Sequence, residues 1–303
     1  MTPVSADETP VPGLDARAAQ RWRELPRSES PWLHEEVATR MAERLQWFRE
    51  KPASWLHWEP VLGGLQAHRR VRESLPEARC HIAAVQMSQA LEATQDPGAR
   101  SWHPATWLRS SKTPAIASVD TRVGMVWANM AVHLQERPLA LLQRWHTHIE
   151  TQGFLMFSCL GPDTLKELRA LYAQADWPEP THVFTDMHDW GDMLVQVGFA
   201  EPVMDVERIT LSYSGALAML QDLRLLGRNL HEGRHGGLRS RAWRDDLCQR
   251  IETSLPRDAN GRLLLTLEII YGHAFKPAPR LPMSNTSTVS LDQMRSWLKT
   301  GRA

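Results

Sequence analysis

The sequence predicts an α/β fold built on a mostly parallel sheet of the doubly wound type. Three observations predict it. Short apolar strand candidates alternate with amphipathic helices through the first two hundred residues. Two longer strand candidates then close the fold, and the stretch between them is mainly helical. At 303 residues the chain can bury a full core.

Residues 1–14 are rich in Pro, Thr, Ser and acidic groups without apolar periodicity, and read as a loose tail. Order is expected from Asp15. Ser30-Pro31 offers a helix N-cap with proline at the first helical position, and Leu33, Val37, Met41, Leu45 and Phe48 follow on one stripe. Ser54–Trp58 is a strand candidate, Gly63-Gly64 opens a helix through about Leu75, and His81–Val85 is a second buried strand. Val123–Ala128 is a third strand. Pro138 starts a helix carrying Leu139, Leu142, Trp145 and Ile149, and 153–157 is another apolar strand.

A further helix ends at Gly198, and Val203–Leu211 and Leu263–His273 are the two long strands. In the second, Leu263, Leu265, Leu267, Ile269 and Tyr271 share one face. The domain therefore spans 15–275, with 214–257 inserted as a helical lid. Residues 276–303 form a Pro-rich connector and a short terminal helix, for which Ser290 and Gln293 supply a capping box.

Composition excludes several classes. Lysines plus arginines equal aspartates plus glutamates at 35 each, so no whole-chain attraction to nucleic acid or anionic membrane is expected. No apolar run approaches the roughly 20 residues that span a bilayer. Cys80, Cys159 and Cys248 lie far apart, which argues against a disulfide framework or a cysteine zinc site and for a reducing cytoplasm. His146-Thr147-His148 reads as a solvated helix end, with no third ligand nearby, so no metal site is expected.

Several segments carry a family pattern. They are Asp15-Ala16-Arg17-Ala18-Ala19-Gln20-Arg21-Trp22, Val126-Trp127-Ala128-Asn129-Met130, and Phe157-Ser158-Cys159-Leu160-Gly161-Pro162-Asp163-Thr164-Leu165 with the helix that follows. Asp186-Met187-His188-Asp189, Val203-Met204-Asp205-Val206-Glu207-Arg208 and Tyr271-Gly272-His273-Ala274 complete the set. Together, in this order, they resemble the malonyl-carrier-protein O-methyltransferases of biotin synthesis. The resemblance implies a Rossmann-like class I methyltransferase fold with a seven-stranded sheet. It also implies S-adenosylmethionine as methyl donor and a malonyl thioester on acyl carrier protein as acceptor.

Matched to that pattern, His57 stands where the first strand carries an acid, Glu59 and Val61 stand on the first two glycines of the donor loop, and Gly63 alone fits. Pro60 removes an N–H and Val61 adds a branched side chain, while Glu59 could offer a displaced carboxylate to the donor's ammonium. Gln86 replaces the acid that meets the ribose, and Gly124 replaces another acid. No Gly-Asp motif lies between Leu108 and Asp120. Asn129 at its strand end reads either as a capped turn or as a neighbour of the donor. The expected cofactor residues are Glu59, Gly63, Gln86 and Asn129.

A malonyl carboxylate suits a bidentate arginine, and Arg169, Arg208 and Arg234 are the candidates, with surface ion pairs as the alternative for each. Residues 221–244 hold six arginines against Asp222 and Glu232. That excess reads as a solvated helical face or as a docking surface for an acidic carrier protein. Two functions therefore stand open: a carboxylate methyltransferase, or a protein that keeps the fold and the basic lid and binds a carrier protein without transferring a methyl group.

Overall fold

The computed structural model describes residues 11, 13–95 and 114–279. Seven strands form one sheet: β1 (Ser54–Trp58), β2 (Arg79–Ala83), β3 (Ala115–Ile116), β4 (Val123–Ala128), β5 (Ile149–Leu160), β6 (Ala200–Tyr213) and β7 (Leu263–Phe275). Their order is β3-β2-β1-β4-β5-β7-β6. The pairs from β3 through to β5 are parallel, and β7 runs antiparallel between β5 and β6. This is the mostly parallel architecture that the alternation predicts.

Ten helices of the described residues accompany it: α1 (Ala16–Glu24), α2 (Trp32–Glu43), α3 (Pro60–Gly63), α4 (Leu65–Ser74), α5 (Met87–Thr94), α6 (Pro138–His148), α7 (Lys166–Gln174), α8 (Met187–Val197), α9 (Ala216–Leu226) and α10 (Arg241–Ser254). Alternation along the strands puts Val126, Ala128, Leu155 and Phe157 on one face, against Leu142 and Trp145 of α6 and Trp190 and Leu194 of α8. Met125, Trp127 and Met156 face the other way, onto Leu33, Val37 and Met41 of α2 and Val71 of α4. The sheet is covered on both faces, as a parallel sheet requires.

Helices α9 and α10 are inserted between β6 and β7, and pack Met219, Leu247 and Ile251 on Leu168 and Leu171 of α7. They form the lid. The chain is ordered slightly before Asp15: Leu14 is buried and bridges His231 in the lid loop. The expected terminal helix with Ser290 and Gln293 lies outside the described residues, as do residues 108–113 of the stretch searched for a Gly-Asp motif.

Two local expectations are corrected. Helix α2 begins at Trp32 without a side-chain cap, and the Ser30 hydroxyl instead accepts from the Leu65 N–H at the start of α4, at 2.9 Å. His148 is buried and its Nδ1 bonds the Thr121 carbonyl, while His146 sits edge-on to Phe199, so this helix end packs rather than solvates.

Candidate functional site

Strand order reverses between β1 and β4, and ligands of open α/β sheets bind beyond the carboxyl ends of strands at such a point. The residues there close on one another. Glu59, the first after β1, has φ 54° and ψ 59°, the left-handed conformation that the glycine of a donor loop adopts freely. Its N–H donates to the Ala83 carbonyl, and its carboxylate accepts from the Val85 N–H at 2.8 Å. Burial pushes this carboxyl above the usual range, opposed by the Val85 amide and by Arg23, Arg27 and Arg144.

Gly63 is required by close approach: a Cβ there would stand 3.2 Å from His57 Nε2 and 3.4 Å from the Asn129 carbonyl oxygen. Gly64, with φ 121°, lies against Ala38 and Glu35. The Glu35 carboxylate then accepts from the backbone N–H groups of Leu65, Gln66 and Ala67 at 2.8, 3.0 and 3.3 Å. A helix N-terminus is a ready anion site, and here the protein's own carboxylate fills it. Glu35→Ala is expected to cost about 1–2 kcal/mol through loss of this cap, checked by thermal unfolding; an unchanged midpoint would refute the assignment.

His57, at the family's acidic position, is fully buried with its Nδ1 2.9 Å from His68 Nδ1. Burial, then the neighbouring imidazole, pushes its pKa well below the usual value, and burial holds His68 at about 3. Both rings are neutral at pH 7 and offer no charge to a donor's ammonium. Gln86 donates its amide to the Glu24 carbonyl of α1. Asn129 is fully buried; its Nδ2 donates to the carbonyls of His34 and Gly63 at 2.9 and 2.6 Å, and its Oδ1 accepts from Ser158 at 2.5 Å. That makes Asn129 a staple between β4, the loop and α2.

Among the described residues, Arg23, Arg27, Glu59, Leu62 and Gln86 line a gap of about 20 Å³ beside the loop, room for about one water. Leu62 packs with Trp22 of α1 and Leu230 of the lid loop.

A second cavity, of about 700 Å³, opens under the lid. Leucines from α7, α9 and α10 dominate its wall together with Trp22 and Trp243, and Arg224, Arg228, Arg239 and Arg244 join them. Among the described residues no aspartate or glutamate lines it. His34, His133 and His182 complete the wall; burial depresses all three, His34 and His182 to about 4. Asp222, an acid of the basic segment, is consumed by Trp32 Nε1 and the Tyr213 hydroxyl.

The three arginines singled out by sequence do not line this cavity. Arg169 donates to the Pro162 carbonyl, Arg208 pairs with Asp163 at 2.9 Å and Glu268 at 3.3 Å, and Arg234 pairs with Asp15 at 2.8 Å. Arg208 and Arg234 thus sit in ion pairs, while the partner of Arg169 is a backbone carbonyl. The cavity's own arginines lie within the basic run 221–244, which composition alone could single out. Among the described residues no cluster of three His, Cys, Asp or Glu could hold a metal.

No family model matches the chain. It is 39% identical over 257 residues to the malonyl-[acyl-carrier protein] O-methyltransferase of Gallionella capsiferriformans, covering 82% of this chain and 86% of that protein. The chain belongs to the malonyl-[acyl-carrier protein] O-methyltransferase family. The protein so named from Laribacter hongkongensis is 38% identical, with 82% and 84% covered. Among solved structures, a putative methyltransferase from Bacillus halodurans superimposes with TM-score 0.50 at 13% identity, covering 79% of this chain and all of that one. The YcgJ protein from Bacillus subtilis gives 0.51 at 10%, covering 80% and 100%. These share the Rossmann-like methyltransferase fold.

Proposed function

We propose that this member of the family acts on the acceptor for which its relatives are named, methylating the free carboxylate of malonyl-acyl carrier protein in biotin synthesis with S-adenosylmethionine as donor. The arginine-bearing cavity under the lid, without an acid among its described lining residues, carries this reading, because it suits an anionic acyl group. A carboxylate is already ionised at neutral pH, so transfer to it needs positioning more than acid–base catalysis. The basic segment 221–244 is the proposed docking surface for the acidic carrier, with an association that weakens as salt rises. No helix among the described residues is long and apolar enough to cross a membrane, and the three cysteines are free, which supports a cytoplasmic setting.

The out-of-pattern donor loop, with His57, Glu59 and Val61 at positions that the family fills with an acid and glycines, favours a second reading, a carrier-protein binder that transfers nothing. Calorimetric titration with S-adenosylmethionine, beside mass spectrometry of malonyl-acyl carrier protein incubated with both, separates the readings. Ester formation supports the transferase. No donor binding at millimolar concentration together with no ester sinks it, and leaves carrier-protein affinity as the function to measure.

A further inference from the structure

The cavity under the lid is larger and less polar than a malonyl group requires. A malonyl thioester has seven non-hydrogen atoms, and at roughly 30 Å³ each it takes up roughly 200 Å³, against about 700 Å³ available. Leu220, Leu223 and Leu226 of α9 and Leu168 of α7 present hydrocarbon, and the uncharged polar side chains beside them are Thr164, Tyr172, Thr181 and Asn229. Such a wall rewards methylenes.

Polarity is graded from outside to inside. Arg224 and Arg228 are exposed, Arg228 lying over the Trp22 ring at 5.3 Å, and Arg239 covers Trp243 at 4.3 Å. His34, His133 and His182 are buried; His34 and His182 spend a ring N–H on the carbonyls of Leu62 and His133. His133 Nδ1 is buried without a hydrogen-bond partner. The wall therefore has a cationic rim, an apolar body and neutral polar groups in its depth.

We propose that the lid cavity binds acyl groups with an apolar chain of medium length, longer than malonyl, whose anionic end lies at the Arg224–Arg239 rim. This rests on the reading that the acceptor's acyl group enters under the lid. It gives the cavity a ligand class beyond the methyl acceptor, chains whose body the leucines cover.

Straight-chain monocarboxylic acids of four, six, eight and ten carbons, each below its micellar concentration and at fixed ionic strength, test it by calorimetric titration into the full chain. Affinity is expected to tighten up to about fourfold per added methylene, and at least tenfold from four to eight carbons. Arg224→Gln with Arg239→Gln, two surface changes, should weaken every acid severalfold and leave the chain-length slope intact. Leu223→Trp, its folding checked by circular dichroism, should flatten the slope. A flat series in the unaltered chain, or affinities indifferent to the arginine pair, overturns the proposal. Ester formation on malonyl-acyl carrier protein beside a flat acid series sinks this inference alone. A steep series without ester sinks only the transferase reading.

Discussion

Asn129→Asp is expected to lower the melting temperature by about 10 °C. The side chain is fully buried and spends both amide hydrogens on the carbonyls of His34 and Gly63 while its oxygen takes the Ser158 hydroxyl. An aspartate of the same shape has no hydrogens to give, so two buried carbonyls lose their donor and face a carboxyl oxygen. Unsatisfied buried groups cost about 1–3 kcal/mol each, which makes about 3 kcal/mol a conservative total, and a chain of this size loses roughly 2–4 °C per kcal/mol. Ser158→Ala removes one bond of the same network and should cost about 1 kcal/mol. Thermal denaturation of the two variants checks both. If Asn129 served a bound donor rather than the fold, Asn129→Asp would leave the melting temperature unchanged, and the staple assignment would fail.

The sheet was legible because its strands carry their own signal. Val123–Ala128 is apolar throughout since both of its faces are covered, and the alternation of Leu267, Ile269 and Tyr271 against Ile270 reappears as two separate core clusters. Boundaries were legible only where apolar residues mark them. Strand β5 begins at Ile149 rather than at residue 153, because Glu150, Thr151 and Gln152 are exposed and no apolar pattern announces them. Ser30 looked like the cap of the helix beside it and serves another helix, since a hydroxyl's partner is a matter of tertiary distance.

The site was legible in its losses and not in its replacements. His57, Glu59 and Val61 stand out of the family's pattern in a single loop, and the left-handed Glu59 shows that the loop's backbone survives without its glycine. The partners around the loop come from far away in sequence: Glu35 from α2 on the start of α4, and the Glu24 carbonyl from α1 on Gln86. No spacing rule reaches across 30 or 62 residues to such pairs. Asp163 and Glu268 hold Arg208 and Asp15 holds Arg234, pairs that no spacing in the sequence announces.

Acidification is expected to unfold the protein cooperatively between about pH 6 and pH 4, with histidines rather than carboxylates setting the midpoint. His34, His57, His68, His133 and His182 are all buried. Burial is the first cause of depression in each; His34 and His182 fall to about 4 and His68 to about 3, and His57 and His133 lie well below the ordinary value. In the unfolded chain these imidazoles titrate near 6.5. Between that value and the folded values the unfolded state binds more protons, so stability rises with pH through the window and is lost as pH falls. Each histidine contributes up to about 1.4 kcal/mol per pH unit, and His57 with His68 share one contact, so the combined slope is several kcal/mol per unit. A domain holding roughly 5–15 kcal/mol is exhausted within about two units of pH. Glu59 runs the other way, since its raised pKa favours the folded state on the acid side, but one carboxyl does not offset five imidazoles. Circular dichroism against pH reads the midpoint, and His57→Leu with His68→Leu removes one buried pair and should shift it downward. A transition centred below pH 3.5, where carboxylates titrate, would show that these rings are not neutral in the folded protein.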